Sequence, residues 1–183
     1  MAVTVQDSEL LMLFRDPKTK EKAFTDIIRK YQEKLYWHVR RMVIEHEDAN
    51  DVLQNIFIRV WNGLENFRQD SQLYTWLYRI ATNECLTFLE QQKKRAVQSL
   101  DEGEGGLSNR IMADKHFDAN KLEWKLQVAI QQLPEKQRIV FNLRYYDEMP
   151  YEEMGRVLGT SEGALKASYH HAVKKIEEYM LNH

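Results

Sequence analysis

The sequence predicts an all-α protein of two small helical domains, each with a small core of its own, joined by a flexible acidic linker. Apolar residues recur at helical spacing almost everywhere, and no segment of useful length alternates with a period of two. The breakers are few, 7 Gly and 3 Pro among 183 residues, and three glycines fall within residues 99–109 (SLDEGEGGLSN). We therefore expect domains over residues 1–95 and 121–183, with the linker at residues 96–120.

Four helices are predicted in the N-terminal domain. They lie near residues 8–14, 18–43 and 47–64, and the fourth runs from Ser71, a good N-cap residue, to about residue 95. Their apolar stripes define the predicted core. The chain has a single cysteine, which excludes an intrachain disulfide, and we expect it to be a small core residue. The predicted core positions are Phe24, either Ile27 or Ile28, Tyr31, Leu35, Val39, Val52, Leu53, Ile56, Phe57, Val60, Trp61, Leu73, Trp76, Leu77, Ile80, Ala81, Cys85 and Leu89.

Four more helices are predicted in the C-terminal domain, near residues 121–132, 135–145, 151–158 and 162–181. The last two have the pattern of a helix-turn-helix. Gly155 supplies the small residue needed where helices approach closely, and Gly159 can adopt the left-handed conformation that ends a helix. Thr160 or Ser161 can cap the next helix, at whose positive end Glu162 is favourable.

The final helix has two unlike faces. Leu165, Tyr169, Ala172, Ile176 and Met180 form an apolar stripe that is predicted to face the core. The opposite face carries small and hydrogen-bonding residues, which suit insertion into a major groove. Those residues are Gly163, Lys166, Ala167, His170 and Lys174. An ordinary αα-hairpin with a solvated polar face is the alternative interpretation.

Charge limits how such a domain could hold DNA. The formal charge is −2, with 15 basic against 14 acidic residues up to residue 95, 2 against 5 over residues 96–120, and 9 against 9 thereafter. Proteins that bind nucleic acid through bulk attraction are clearly basic. We therefore expect specificity from a few placed side chains and affinity from a larger partner.

Two polar surfaces are predicted on the N-terminal domain. Asp51, Gln54, Asn55 and Ile58 share a helix face whose amides are typical of a partner surface, although a solvated helix side is the alternative. Residues 67–83 then combine aromatic side chains with Arg and Asn, which can receive unstacked bases. Many of these rings must be core, and Trp76, for one, is expected to be at least half buried. A basic cluster at residues 93–95 could hold a phosphate or simply favour the end of its helix.

No enzyme signature is found. The six histidines supply neither Glu-x-x-His nor His-Glu-x-x-His spacing, and the chain has no Gly-rich phosphate loop and no serine or cysteine nucleophile pattern. We therefore predict no catalytic residues, no cofactor and no metal ion. The sequence lacks an apolar run of membrane-spanning length and a signal peptide, so we expect a cytoplasmic protein without membrane insertion.

Three segments in this order closely resemble bacterial RNA polymerase sigma factors of the extracytoplasmic-function (ECF) group. They are residues 48–61 (DANDVLQNIFIRVW), 74–83 (YTWLYRIATN) and the helix-turn-helix at residues 151–176. The resemblance implies an N-terminal region two that binds core RNA polymerase and melts the minus-ten element. It also implies a C-terminal region four that reads the minus-thirty-five element, and a linker whose acidic run mimics a nucleic-acid strand near the polymerase active site.

The resemblance assigns residues to each of these surfaces. The polymerase-binding residues are Asp48, Asp51, Gln54, Asn55 and Arg59. The minus-ten residues are Phe67, Arg68, Ser71, Tyr74, Thr75, Arg79, Asn83, Lys93 and Lys94. The minus-thirty-five residues are Ser161, Glu162, Gly163, Ala164, Lys166, Ala167, His170 and Lys174. The implied partners are core RNA polymerase, promoter DNA and an anti-sigma factor, which can be membrane-anchored. A stand-alone helix-turn-helix regulator is the alternative.

Overall fold

The computed structural model describes residues 6–98 and 121–183, and these residues form the predicted all-α fold. The N-terminal domain consists of α1 (Asp7–Arg15), α2 (Lys20–Val43), α3 (His46–Gly63), a 3-10 turn (Leu64–Asn66) and α4 (Leu73–Gln98). The C-terminal domain consists of α5 (Lys121–Gln131), α6 (Glu135–Tyr145), α7 (Tyr151–Leu158) and α8 (Glu162–Asn182). Each helix end lies within three residues of its predicted place.

Helix α4 differs from its prediction at both ends. The carbonyl oxygen of Gln72 accepts the backbone N–H of Trp76 at 3.2 Å, so α4 starts after Gln72 and the predicted cap at Ser71 is wrong. The Ser71 hydroxyl instead lies 3.4 Å from the carbonyl oxygen of Gln72. At the other end α4 continues through residues 96–98, which were predicted as linker. The remainder of the predicted linker, with its acidic run, lies outside the described residues.

The N-terminal core forms where α2, α3 and α4 pack together with α1. The predicted apolar stripes face inward, and Ile27, Leu35, Ile56 and Leu77 are completely buried. Cys85 is buried among them, as predicted, and its burial raises the pKa of the thiol. A tightly packed core of this kind fixes the outward faces of α3 and α4 relative to one another.

The helix-turn-helix owes its shape to three local devices. Gly159 has a φ of +63°, the left-handed conformation that ends α7, and the Ser161 hydroxyl accepts the N–H of Ala164 at 3.3 Å as the cap of α8. At Gly155 a Cβ would lie 2.9 Å from the carbonyl oxygen of Thr160. Gly155 is therefore required by the tight turn beneath it and not by the approach of two helices.

The two domains pack against each other and share a core. Buried apolar residues of α6, α7 and α8, including Val140, Met154 and Leu165, belong to the same cluster as the N-terminal helices. The C-terminal domain also has a separate cluster, formed by Ala129, Ile130, Leu133, Phe141, Ala172 and Ile176. The domains thus do not have wholly separate cores, because α7 lies on α4 and α6 approaches α2.

Candidate nucleic-acid and partner interfaces

The outer face of α3 carries the residues predicted to bind polymerase. Asp51, Gln54, Asn55 and Arg59 are exposed together, because the opposite side of the helix is buried against α2 and α4. The Arg59 guanidinium also donates to the carboxylate of Glu84 on α4. Asp48, near the start of α3, is half-buried. The structure therefore gathers four of the five predicted residues on one open surface.

An apolar side chain completes that surface. Ile58 is 54% exposed among the polar residues of α3, and it lies one helical turn beyond Gln54 and Asn55. Ile58 adds apolar area to this polar face, and a protein partner bound there would remove that area from water. The helical period placed Ile58 on this outward face, and the structure exposes it there.

The loop between the 3-10 turn and α4 is anchored by an aromatic pair. Phe67 is 7% exposed and packs on Trp76, with ring centroids 5.0 Å apart. Arg68, Gln69 and Asp70 are exposed, and Gln69 has a φ of +60°, which few non-glycine residues adopt. Phe67 therefore holds the loop in this conformation and does not present its ring to solvent. Its role toward DNA stays a prediction.

A cleft of about 440 Å³ opens beside this loop. Its walls come from three parts of the chain: residues 69–73 of the loop and the start of α4, Asp7 and Ser8 of α1, and Arg156 of α7. Two of these three parts were not predicted to be near the loop. Contacts between distant segments leave no periodic signal in a sequence, so only the fold reveals them.

The first turns of α4 lie under α7. The Thr75 side chain is 2% exposed, and its hydroxyl donates to the carboxylate of Glu153 on α7. Burial, and then the negative charge of Glu153, raise the pKa of the neighbouring Tyr74. Further along the helix, Arg79 and Asn83 are exposed. The predicted minus-ten residues therefore divide into a covered part and an open part.

The basic end of α4 is engaged in ion pairs. Lys93 Nζ lies 2.6 Å from Glu135 Oε2 at the start of α6, which links the two domains. Lys94 Nζ lies 2.9 Å from Glu90 Oε1 one turn earlier on α4. Both lysines are largely exposed, so these pairs are weak and can be replaced by phosphate.

A buried polar cluster, the Asp147 cluster, is a third polar contact between the domains. Asp147 Oδ2 lies 3.2 Å from His38 Nδ1, and Asp147 Oδ1 accepts Arg41 Nη1 at 3.2 Å and the Tyr78 hydroxyl at 3.3 Å. The fully buried His38 also places Nε2 3.0 Å from the Thr82 hydroxyl. Burial, and then the charge of Asp147, raise the pKa of Tyr78. Tyr78 was among the aromatic side chains noted at residues 67–83, but the sequence did not predict this cluster, in which Asp147 lies more than a hundred positions from His38.

The predicted minus-thirty-five surface on α8 is fully open. All eight of its residues are exposed, while Leu165, Ala172 and Ile176 on the other side are buried. Lys166 Nζ lies 3.7 Å from Glu162 Oε2 and 5.6 Å from the ring centroid of Tyr151. The predicted division of α8 into an inner stripe and an outer polar face is thus what the structure has. The DNA roles of the outer residues stay predictions.

Residues 6–98 and 121–183 include no helix long and apolar enough to cross a membrane. Within the same ranges, no three His, Cys, Asp or Glu side chains are grouped so that they could hold a metal ion.

Family comparisons match the two domains separately. The family described as Sigma-70 region 2 matches residues 27–95, and the family described as Sigma-70, region 4 matches residues 123–176. The first segment contains α3 and almost all of α4, and the second contains the helix-turn-helix. Each matched family therefore carries one or more of the surfaces described above.

Individual relatives extend this match over nearly the whole chain. The ECF RNA polymerase sigma factor SigW of Bacillus subtilis is 34% identical over 163 residues, covering 84% of this chain and 86% of SigW. The ECF RNA polymerase sigma-E factor of Escherichia coli is 30% identical over 180 residues, covering 94% of each chain. The sigma factor RpoE of Bartonella quintana, solved in complex with the anti-sigma factor NepR, has the same fold, with a TM-score of 0.70 at 20% identity over 88% of this chain and 98% of RpoE. With both domains and their order accounted for, this chain belongs to the ECF RNA polymerase sigma factors.

Proposed function

We propose that this sigma factor binds core RNA polymerase through the outer face of α3, melts the minus-ten element along α4, and reads the minus-thirty-five element with α8. In this proposal residues 1–95 and 121–183 are the two functional domains, and residues 96–120 connect them. One observation carries the assignment: the segment matching region 2 holds the α3 and α4 surfaces, and the segment matching region 4 holds the α8 surface.

The chemistry of α3 favours a protein over DNA as the partner of that face. Asp51 is anionic and would repel phosphates, whereas the amides of Gln54 and Asn55 offer both hydrogen-bond donors and acceptors. The exposed Ile58 adds an apolar contact in the middle of these groups. A patch that combines one carboxylate, amides and an isoleucine fits a protein surface with basic and apolar groups.

The chemistry of α8 favours duplex DNA. Gly163, Ala164 and Ala167 have almost no side chain, so the helix backbone can approach base edges closely in a major groove. Lys166 and His170 add donors for bases or phosphates on the same face. Because the C-terminal domain has no net charge, the proposal assigns most of the affinity for promoters to the polymerase complex.

Partner and location follow from the same assignment. The Bartonella sigma factor of the same fold was solved bound to an anti-sigma factor, which supports an anti-sigma partner for this chain as well. We propose that the chain acts in the cytoplasm, where polymerase transcribes, as an initiation factor without catalytic activity of its own. In this proposal the protein requires no cofactor.

Reconstituted transcription tests the proposal. Core RNA polymerase from the source organism and this chain should initiate at a subset of that organism's promoters, and core enzyme alone should not. Asp51→Arg should weaken core binding by about tenfold or more, because it reverses a charge inside the partner surface. Glu33→Arg makes the same reversal at an exposed site on α2, outside that surface, and should bind core normally.

Two results would refute the assignment. One is the absence of initiation at every promoter tested, and the other is unchanged core binding by Asp51→Arg. Tight binding of a duplex by the isolated chain, with a footprint of two half-sites, would favour a stand-alone regulator instead.

A further inference from the structure

The contact between Glu153 and Thr75 places a carboxylate where a nucleic acid would have to bind. Thr75 is one of the predicted minus-ten residues, and its hydroxyl donates to Glu153. Glu153 is itself 8% exposed and lies 3.6 Å from Arg156 Nη1 on the same helix. A carboxylate offers anionic oxygens to a hydroxyl donor, as a DNA phosphate does.

The whole of α7, and not Glu153 alone, covers this part of α4. Arg156 lines the cleft beside the loop at residues 69–73, so α7 also closes one side of the predicted base-binding loop. Met154, on the same short helix, is completely buried in the core that both domains share. A single strand therefore cannot reach Thr75 while α7 occupies this position.

The Asp147 cluster holds the same arrangement from the other side. Asp147 precedes α7, and its carboxylate takes hydrogen bonds from Arg41 on α2 and Tyr78 on α4, next to His38. Both of these carboxylates, like that of Glu135 in its ion pair with Lys93, come from the C-terminal domain and meet donors on the N-terminal domain. Charged and hydroxyl groups of this kind can exchange their partners for water when the domains separate, unlike an all-apolar interface.

We propose that the free sigma factor is closed by its own C-terminal domain, with Glu153 bound to Thr75 in the place of single-stranded minus-ten DNA. This inference rests on the proposed function, since it takes α4 as the minus-ten surface. The closed chain reads minus-thirty-five DNA with the exposed α8, but it admits single-stranded DNA to α4 only after α7 has moved away. The promoter strand and Glu153 compete for the same place.

Competition of this kind has a measurable size. When one conformation is closed, the apparent affinity for a ligand of the open form falls in proportion to the open fraction. Removing the charged hydrogen bond of Glu153 should raise the open fraction, and with it the apparent affinity for a single strand, by about tenfold. The affinity of α8 for duplex DNA should stay the same.

Glu152 provides a matched control. It is the preceding residue of α7, its side chain is exposed, and it lies 3.0 Å from Arg156 Nη2. Glu152→Ala and Glu153→Ala therefore remove the same charge from the same helix and the same guanidinium. They differ in that Glu153 also contacts Thr75.

The first measurement is the distance between the domains in the full chain without polymerase. Spin labels at Lys22→Cys on α2 and Glu177→Cys on α8 sit at exposed positions, while Cys85 is buried. Pulsed electron paramagnetic resonance should give a single short distance between the two labels in the parent and in Glu152→Ala. In Glu153→Ala it should give a second population with a longer distance. Glu153→Gln keeps the side-chain shape and weakens the hydrogen bond, so its longer-distance population should lie between those of the parent and Glu153→Ala. Because this substitution leaves the packing intact, it separates loss of the contact from a folding defect.

The second measurement is fluorescence anisotropy with a dye-labelled single strand of random sequence. Glu153→Ala should bind it about tenfold more tightly than the parent, and Glu152→Ala should bind like the parent. The proposal is overturned if the distances do not change in Glu153→Ala, or if the domains separate and the single strand gains nothing. Neither measurement uses polymerase or a promoter, so failure here is distinct from failure of the transcription assay.

Discussion

The two predicted DNA surfaces of this sigma factor differ in how they meet solvent. On α8 every predicted residue is exposed, whereas on α4 and its loop the set divides, with Thr75 and Phe67 buried and Arg79 and Asn83 open. The helix proposed to read a closed duplex is exposed, and the helix proposed to receive a melted strand is partly covered. This difference matches the proposed order of events at a promoter, with duplex contact first and strand capture second.

The difference has a structural cause. The exposed face of α8 is set by its own sequence, through the cap at Ser161 and an apolar stripe that turns the polar side outward. The state of α4 is set by α7, which lies some seventy positions away along the chain. Local patterns therefore determine the open surface, and the packing of two domains determines the covered one.

The largest expected effect comes from breaking the shared core. Met154→Ala should cost about 2–5 kcal/mol of unfolding free energy, because it removes most of a completely buried side chain. Ile176→Ala should cost a comparable amount, but Ile176 belongs to the cluster confined to the C-terminal domain. Denaturant unfolding measures the loss, and hydrogen exchange shows which amides become exposed under native conditions.

The two substitutions should separate in hydrogen exchange. Met154→Ala should speed exchange in the first turns of α4, because α7 then holds them less tightly. Ile176→Ala should speed exchange in α5 and α8 and leave α4 as it was. Equal acceleration of α4 by both changes would mean that α4 is not covered by α7 in the way described here.

A smaller effect is expected at the turn that presents α8. Gly159→Ala should lower the unfolding free energy by about 1–2 kcal/mol, because its φ of +63° is strained for any residue with a Cβ. Gly163→Ala should raise stability by about 0.5 kcal/mol, since no atom lies within 4 Å of the added methyl group. Thermal unfolding of both variants and the parent should show a loss of stability for Gly159→Ala and a gain for Gly163→Ala.

The same pair tests the open surface. Gly163→Ala is predicted to weaken promoter binding by the polymerase complex despite its gain in stability, because the methyl group lies on the face that approaches the groove. A Gly163→Ala protein that is more stable and binds promoters as well as the parent would remove Gly163 from the DNA surface.

The sequence predicted what depends on neighbours in the chain. The bounds of α6 and α7, the left-handed Gly159 and the cap at Ser161 all follow from residue type and helical period, and the structure has them as predicted. Family resemblance, carried by residues 48–61, 74–83 and 151–176, was confirmed by the comparisons. These features need no knowledge of which domain touches which.

The sequence missed what depends on distant parts of the chain. The burial of Thr75 by Glu153 joins positions 78 residues apart, and the pair of His38 with Asp147 joins positions 109 apart. Helical periodicity reports which side of a helix is apolar, but it does not reveal that the second domain supplies hydrogen-bond partners to the buried Thr75, Tyr78 and His38. The shared core could not be predicted for the same reason.

The smallest predicted effect compares how the two DNA-facing helices begin. Ser161→Ala should lower the unfolding free energy by about 1 kcal/mol, because the hydroxyl accepts the N–H of Ala164 at the start of α8. Ser71→Ala should change it by less than about 0.5 kcal/mol, because α4 starts after Gln72 and the Ser71 hydroxyl satisfies no N–H of that helix. Urea unfolding at constant m-value measures both differences.

If Ser71→Ala proves as costly as Ser161→Ala, then Ser71 does cap α4, as the sequence pattern predicted, and the start of α4 seen here is wrong. The expected inequality has a functional meaning. The Ser161 hydroxyl caps α8, so a contact between Ser161 and DNA, as proposed, would have to share that hydroxyl with the N–H of Ala164. Ser71 lines the cleft beside the loop, and α4 does not depend on its hydroxyl. That hydroxyl is therefore available to form a hydrogen bond with a base or phosphate without weakening α4.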